Sequence, residues 1–387
     1  MKRYKLLNMI GKSAFILCFF FFSVLAFANE GAIDTAKSAE NANIENTHST
    51  PEHGSEAKFE PGKFILHHVV DAHEWHILQY KDFYLTIPLP IILWSEKSGI
   101  VAFLSSNFKD ASGNSHNLHA DKFYGGYKIS PQGHISAIDE SKVYDFSITK
   151  NVVGMFVSII ILCFIFITAS NRYIKKPNSA PKGIQSLVEP LIVFLRDDVI
   201  RPSLGEKRTN KYAPFLLTLF FFIFLNNLMG LIPIFPGGAN VTGNIAITMV
   251  LALFTFVITT FSGNKSYWTH IFNAPGVPWW LKLPIPLMPI VELVGVFTKP
   301  FVLMVRLFAN ITAGHIIALG FFSLIFIFGA IAPAIGYGVS IVSIAFTVFM
   351  TVLELLVAFI QAYVFTLLSA IYFGMATEEH HHVEEHH

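Results

Sequence analysis

One cation stands alone in a long apolar run. Between Pro300 and Leu353, Arg306 is the only Lys, Arg, Asp or Glu. A cation at membrane depth costs roughly 2.5–3.5 kcal/mol even on lenient insertion scales, so such residues are kept for a function or a buried partner. Other polar residues surround it at helical spacing. Asn310, four residues on, shares its face. Glu292, fourteen residues before, falls about 40° from that face and about four turns away. Pro300 between them can kink the helix and disturb that phase. His315, nine residues after Arg306, lies half a revolution round, so the two point to opposite sides. On the next apolar segment Glu354 and Gln361, seven apart, share a face.

These types divide by chemistry. Histidine titrates near neutral pH, and burial raises a glutamate towards that range. His315 and Glu354 can therefore relay protons, or they can form one satisfied buried pair. Arg306 stays charged and cannot relay. It either pairs with a carboxylate inside the bundle or acts on something outside it. Asn226 and Asn227, adjacent in another apolar segment, either make interhelical hydrogen bonds or line a polar channel.

The elements that must hold these residues are membrane elements. The 387 residues are 53% hydrophobic and only 14% charged, with 39 phenylalanines. That balance excludes an ordinary soluble domain. A net charge of +1 carries no field that would attract nucleic acid. The fold expected is an all-α polytopic membrane protein with about five embedded helices, one amphipathic surface helix and a small strand-rich N-terminal domain.

In chain order, Lys2, Arg3 and Lys5, an apolar core over Ala14–Leu25 and Ala26-Phe27-Ala28 form a secretory signal, with 1–28 removed. A retained first helix is the alternative. Cys18 lies in that segment and Cys163 in an apolar span, so no disulfide framework is expected. Residues 29–63 are polar and low in aromatics, a disordered linker. Residues 64–147 mix short apolar runs with turn residues and read as an extracytoplasmic domain. It contains His67, His68, His73, His76, His116, His119 and His134. His73-Glu74-Trp75-His76 lacks the spacing of a zinc-binding H-E-x-x-H, so solvated or interfacial histidines are expected, with no metal and no cofactor.

The membrane part is expected over 148–376, with spans at about 152–171, 212–235, 244–262, 287–332 and 338–376 and the surface helix at 183–204. Arg172, Lys175, Lys176 and Lys182 hold the loop after the first span on the cytoplasmic side. Trp279 and Trp280 are interfacial anchors. The last two segments are too long for upright crossings, and hydropathy cannot choose between oblique helices and helices that break near Gly314 or Gly320. Pro333–Gly338 is expected to join them. A His/Glu-rich cytoplasmic tail, 377–387, closes the chain.

Three stretches resemble one family. R-L-F-A-N-I-T-A-G after K-P (299–314), the tail L-E-L-L-V-A-F-I-Q-A-Y-V-F-T-L-L-S-A-I-Y-F-G-M-A-T-E-E-H (353–380) and N-N-L-M-G-L-I-P (226–233) resemble subunit a of the F-type ATP synthase. The resemblance covers roughly 152–380. It implies the stator half of a proton turbine, packed against a ring of c subunits, with the b stalk, other synthase subunits and lipid as partners and no ATP chemistry on this chain. Arg306 would face the ring carboxylates, with Asn310 and Gln361 beside it. Glu292 would belong to the cytoplasmic half-channel, His315 and Glu354 to the outer one, and Asn227 would be a polar residue of the second span. It also implies a long tilted hairpin for the last two segments and a bacterial inner-membrane location. A secondary transporter or channel using an intramembrane arginine is the alternative. It would call for repeated halves, and none is visible. A metalloenzyme using the N-terminal histidines is a further alternative.

Overall fold

In the computed structural model, the described residues are 62, 71–80, 83–110, 121–130, 133–175, 180–232, 237–272 and 287–378. The signal segment, the linker apart from residue 62, His67, His68, His116, His119, the Trp279-Trp280 anchors and the tail beyond residue 378 lie outside them.

The N-terminal domain consists of short antiparallel strands. Strands β1 (Glu74–Tyr80) and β2 (Phe83–Pro88) pair with each other. Strand β3 (Pro90–Ser95) lies between β4 (Gly99–Leu104) and the strand Val143–Asp145. A third sheet joins β5 (Lys122–Tyr124), β6 (Tyr127–Ile129) and β7 (Ile135–Ala137), which makes Val143–Asp145 β8. In β3 the side chains of Ile91, Leu93 and Ser95 are buried and alternate with more open neighbours, the period-two pattern of a one-sided sheet. Ile91, Leu93, Phe108 and Tyr127 form the domain's core. Trp75 belongs elsewhere. It is buried in the same cluster as Met155 and the membrane helices, so the domain is docked on the bundle.

Helix α1 (Lys150–Lys175) follows β8 almost directly. Met155, Ile159, Leu162, Phe166, Ala169 and Tyr173 form its buried stripe at alternating spacings of four and three. Ile160, Phe164, Ile167 and Ile174 are exposed on the other side, apolar surface that suits lipid rather than water. Helix α2 (Ile184–Phe194) continues through a π-helical stretch, Leu195–Ile200, into α3 (Arg201–Leu231). Gly205, with φ 74°, breaks the path and separates the amphipathic segment from the span. Beyond the break nearly every residue from Tyr212 to Ile223 is buried, so α3 is the centre of the bundle. Helix α4 (Ile245–Ser262) is capped by Asn244, whose side chain accepts from the Ala246 N–H at 2.9 Å. A short helix, α5 (Lys265–Phe272), precedes the hairpin.

The hairpin is two unbroken helices, α6 (Leu287–Ile331) and α7 (Pro333–Thr377), each of 45 residues. At about 1.5 Å per residue each is about 68 Å long. The apolar core of a bilayer is only about 30 Å thick, and both helices are apolar nearly throughout, so they lie obliquely rather than upright. Neither Gly314 nor Gly320 interrupts α6. Residues 333–338, expected as the joint, are instead the first turns of α7. Proline is tolerated there because its missing N–H falls where no intrahelical bond is made. The joint is Ala332 alone, extended at φ −157°. At the crossing a Cβ on Gly336 would stand 2.7 Å from the Gly329 Cα. The backbones therefore meet where neither carries a side chain. The far half of α7 packs on α3 through small residues. Ala358, Ala362, Ser369, Ala370 and Gly374 are all buried.

Candidate functional site

The hairpin brings together residues far apart in sequence. Asn310 on α6 donates from Nδ2 to Gln361 Oε1 on α7 at 2.9 Å. Just over one turn further along α6, His315 Nδ1 lies 3.6 Å from Glu354 Oε1. That is too long for a hydrogen bond and short enough for an ion pair when the imidazole is protonated. Both side chains are mostly buried, 18% and 12% exposed. Gly314 makes the approach possible, because a Cβ there would fall 2.5 Å from Glu354 Oε1.

Asn226 and Asn227 separate in role. Asn226 donates to the Phe222 carbonyl of its own helix at 2.8 Å. Asn227 reaches across the bundle, donating to the Ala358 carbonyl at 3.2 Å and accepting from Thr242 Oγ1 at 2.5 Å. It also lines a small cavity with Asn310, His315 and Glu354. The same residue therefore makes interhelical bonds and borders this small cavity, which Leu231, Ile311, Val357 and Ala358 also line.

Arg306 lies one turn from Asn310 and is half-buried, beside the exposed Val302 and Val305 on the open face of the hairpin. Among the described residues it makes no hydrogen bond or ion pair, although it lies within electrostatic reach of Tyr372 on α7. Lys299 Nζ sits 5.6 Å from the centre of the same ring. That cation–π contact engages the second cation of this stretch. Glu292, about 21 Å along α6 from Arg306, is within electrostatic reach of Tyr267 on α5. Burial raises the Tyr267 phenol above its ordinary value, and the Glu292 charge adds to the rise.

The seven polar residues singled out from the sequence thus form an ordered series. Glu292 lies towards one end of α6 and His315–Glu354 towards the other, with Arg306, Asn310 and Gln361 between them and Asn227 against the second cluster. Sequence reasoning missed Thr242, Gly314, Tyr267 and the Lys299–Tyr372 contact. Only Gly314 left a trace, as a small residue next to a histidine in an apolar helix. Among the described residues no three His, Cys, Asp or Glu side chains are grouped as a metal would require.

Residues 152–374, more than half the chain, match the ATP synthase A chain family. The chain belongs to that family. A protein named ATP synthase subunit a 2 from Chlorobaculum tepidum is 46% identical over 241 residues, covering 60% of this chain and 64% of its own length. ATP synthase subunit a of Chloroherpeton thalassium is 43% identical over 250 residues, with 63% and 71% covered. That of Myxococcus xanthus is 42% identical over 248 residues, with 62% and 77% covered. The chain thus spans less than two thirds of the length of the Chlorobaculum relative. The family match runs from the first turn of α1 to the last turn of α7 and includes all seven residues of the series. Residues 64–153 match a separate family described only as a domain of unknown function. This subunit a family member is a multi-pass membrane protein, with five helices among the described residues long and apolar enough to cross.

Proposed function

We propose that this chain is the stator of a proton-driven rotary ATP synthase, in which Arg306 faces the carboxylates of a c-subunit ring and separates two proton half-channels. The observation that carries the reading is a half-buried guanidinium on an open apolar face without a counter-charge among the described residues, flanked along one helix by two titratable clusters. A c-ring carboxylate supplies the missing counter-charge.

The chemistry follows from solvation. A ring carboxylate facing lipid has to be protonated, since an unpaired charge there is costly. Beside Arg306 it ionises, because an adjacent cation stabilises the charged form. The outer half-channel, through His315 and Glu354 with Asn227 at its wall, delivers protons to the ring. The inner one, at Glu292, releases them to the cytoplasm. Asn310 and Gln361 hold the polar ground between. Arg306, which does not deprotonate, blocks direct passage between the channels. Each proton gains about 2.3 kcal/mol per 100 mV of membrane potential, which turns the ring. ATP is made on other chains. The b stalk, the remaining synthase subunits and lipid are the other contacts. In this reading residues 1–28 direct export, residues 64–147 form a domain outside a bacterial inner membrane, and the C-terminus is cytoplasmic.

Arg306→Ala tests the assignment. Proton-driven ATP synthesis should fall to background in membranes that still contain the assembled complex. Wild-type synthesis by that variant would overturn the reading.

A further inference from the structure

The N-terminal domain stands on the end of the bundle where His315 and Glu354 lie. A chain of contacts establishes this. Trp75 of β1 is buried with Met155 of α1. A Cβ on Gly154 would come within 2.7 Å of the Ala239 side chain, so the start of α1 packs against the loop ahead of α4. That loop carries Thr242, bonded to Asn227, and Gly243, whose carbonyl accepts from Thr312 Oγ1 at 3.5 Å. Thr312 is one turn from His315.

At this junction the domain holds a group of titratable side chains. His73 Nε2 lies 3.1 Å from Asp145 Oδ2 on β8, and the histidine side chain is only 9% exposed. Its other nitrogen, Nδ1, is buried and without a hydrogen-bond partner among the described residues. Asp71 is within electrostatic reach of His73. Asp71 Oδ1 accepts from the Ala72 and Asn151 N–H groups, each at 3.0 Å, so the carboxyl sits directly over the first turn of α1. Desolvation holds that carboxyl above its ordinary value, although hydrogen bonds from Thr149, Asn151 and Ala72 and the nearby imidazole oppose the rise. Lys150, the first residue of α1, lies within electrostatic reach of both Asp71 and His315. Glu74 and Lys122 on the neighbouring strands are paired at 3.1 Å.

We propose that His73 and Asp71 form the outer mouth of the half-channel leading to His315 and Glu354, so that the N-terminal domain is part of the proton path rather than an appendage. A proton entering from the outer side through the domain reaches the buried Nδ1 of His73, and the resulting imidazolium is held by Asp145. It returns that proton to the Asp71 carboxylate, which becomes neutral, and the proton moves on towards His315. The proposal rests on the stator reading above.

The test uses the whole synthase in liposomes, with ATP synthesis driven by an imposed proton-motive force and the pH on the domain's side varied. Asp71→Asn keeps an acceptor for both backbone N–H groups but cannot carry a proton. His73→Gln keeps a donor for Asp145. Both should lose synthesis several-fold, increasingly as the outer pH rises, while the complex still assembles, and Asp71→Glu should restore much of the rate. A wild-type pH profile in both Asp71→Asn and His73→Gln overturns the proposal and leaves Asp71 as a tether for α1. If Asp71→Asn fails to assemble, His73→Gln alone decides. Arg306→Ala in the same liposomes separates the two readings: background synthesis there, with unaltered Asp71 and His73 variants, refutes only the outer mouth.

Discussion

His315 and Glu354 come from different helices and meet at 3.6 Å over the space that Gly314 leaves. If they act as one relay, what matters is that a titratable pair spans the helices, and which helix carries which group matters less. Exchanging them, with His315→Glu and Glu354→His together, should therefore retain more ATP-driven proton pumping than either single replacement. Equal loss in all three variants, measured by dye quenching in membrane vesicles, would count against a shared relay. The phase of α6 was legible in the sequence, because about 100° per residue puts Arg306 and Asn310 on one side and His315 on the other. That His315 meets Glu354, and Asn310 meets Gln361, was not. The partners of each pair lie far apart along the chain, and periodicity carries no information about register between helices.

At the scale of the element, the hairpin depends on a one-residue joint and on the absence of side chains where its helices cross. Gly336 lies against Gly329 so closely that any Cβ has to displace backbone. Gly336→Leu should push the two helices apart and lower stability by about 1–3 kcal/mol, the usual cost of overpacking. Because the displaced crossing is the pivot of both long helices, the His315–Glu354 and Asn310–Gln361 contacts should loosen with it. A lower melting temperature of the detergent-solubilised complex, together with reduced proton pumping, is expected. Unchanged values for both would mean that the crossing has slack. Hydropathy identified two overlong segments and could not decide between obliquity and breakage. The oblique course follows from both helices running unbroken for 45 residues, far longer than the apolar core of a bilayer is thick.

On the scale of the whole molecule, the exposed surface is the informative part. Phe301, Val302 and Val305 on α6 and Ile341, Val348, Phe349 and Val352 on α7 are large, apolar and open. Lipid chains can cover such a face, but the hydrocarbon offers no counter-charge to Arg306. The chain should accordingly co-isolate with a c-subunit ring after mild detergent extraction. Recovery of a lone chain that transports a solute in liposomes would instead support a secondary transporter.

Composition and hydropathy by themselves determined the membrane class, the apolar segments, the strand-rich N-terminal domain and the polar residues worth watching. These are properties of short windows, and a membrane helix declares itself locally because its backbone hydrogen bonds are all internal. Only the tertiary structure decided that the hairpin is unbroken, that Asn227 is shared between Thr242 and α7, and that Asp71 and His73 stand over the end of the bundle where His315 lies. Those outcomes depend on contacts between distant segments, set by side-chain shape where helices and strands close on one another, and no local pattern encodes them.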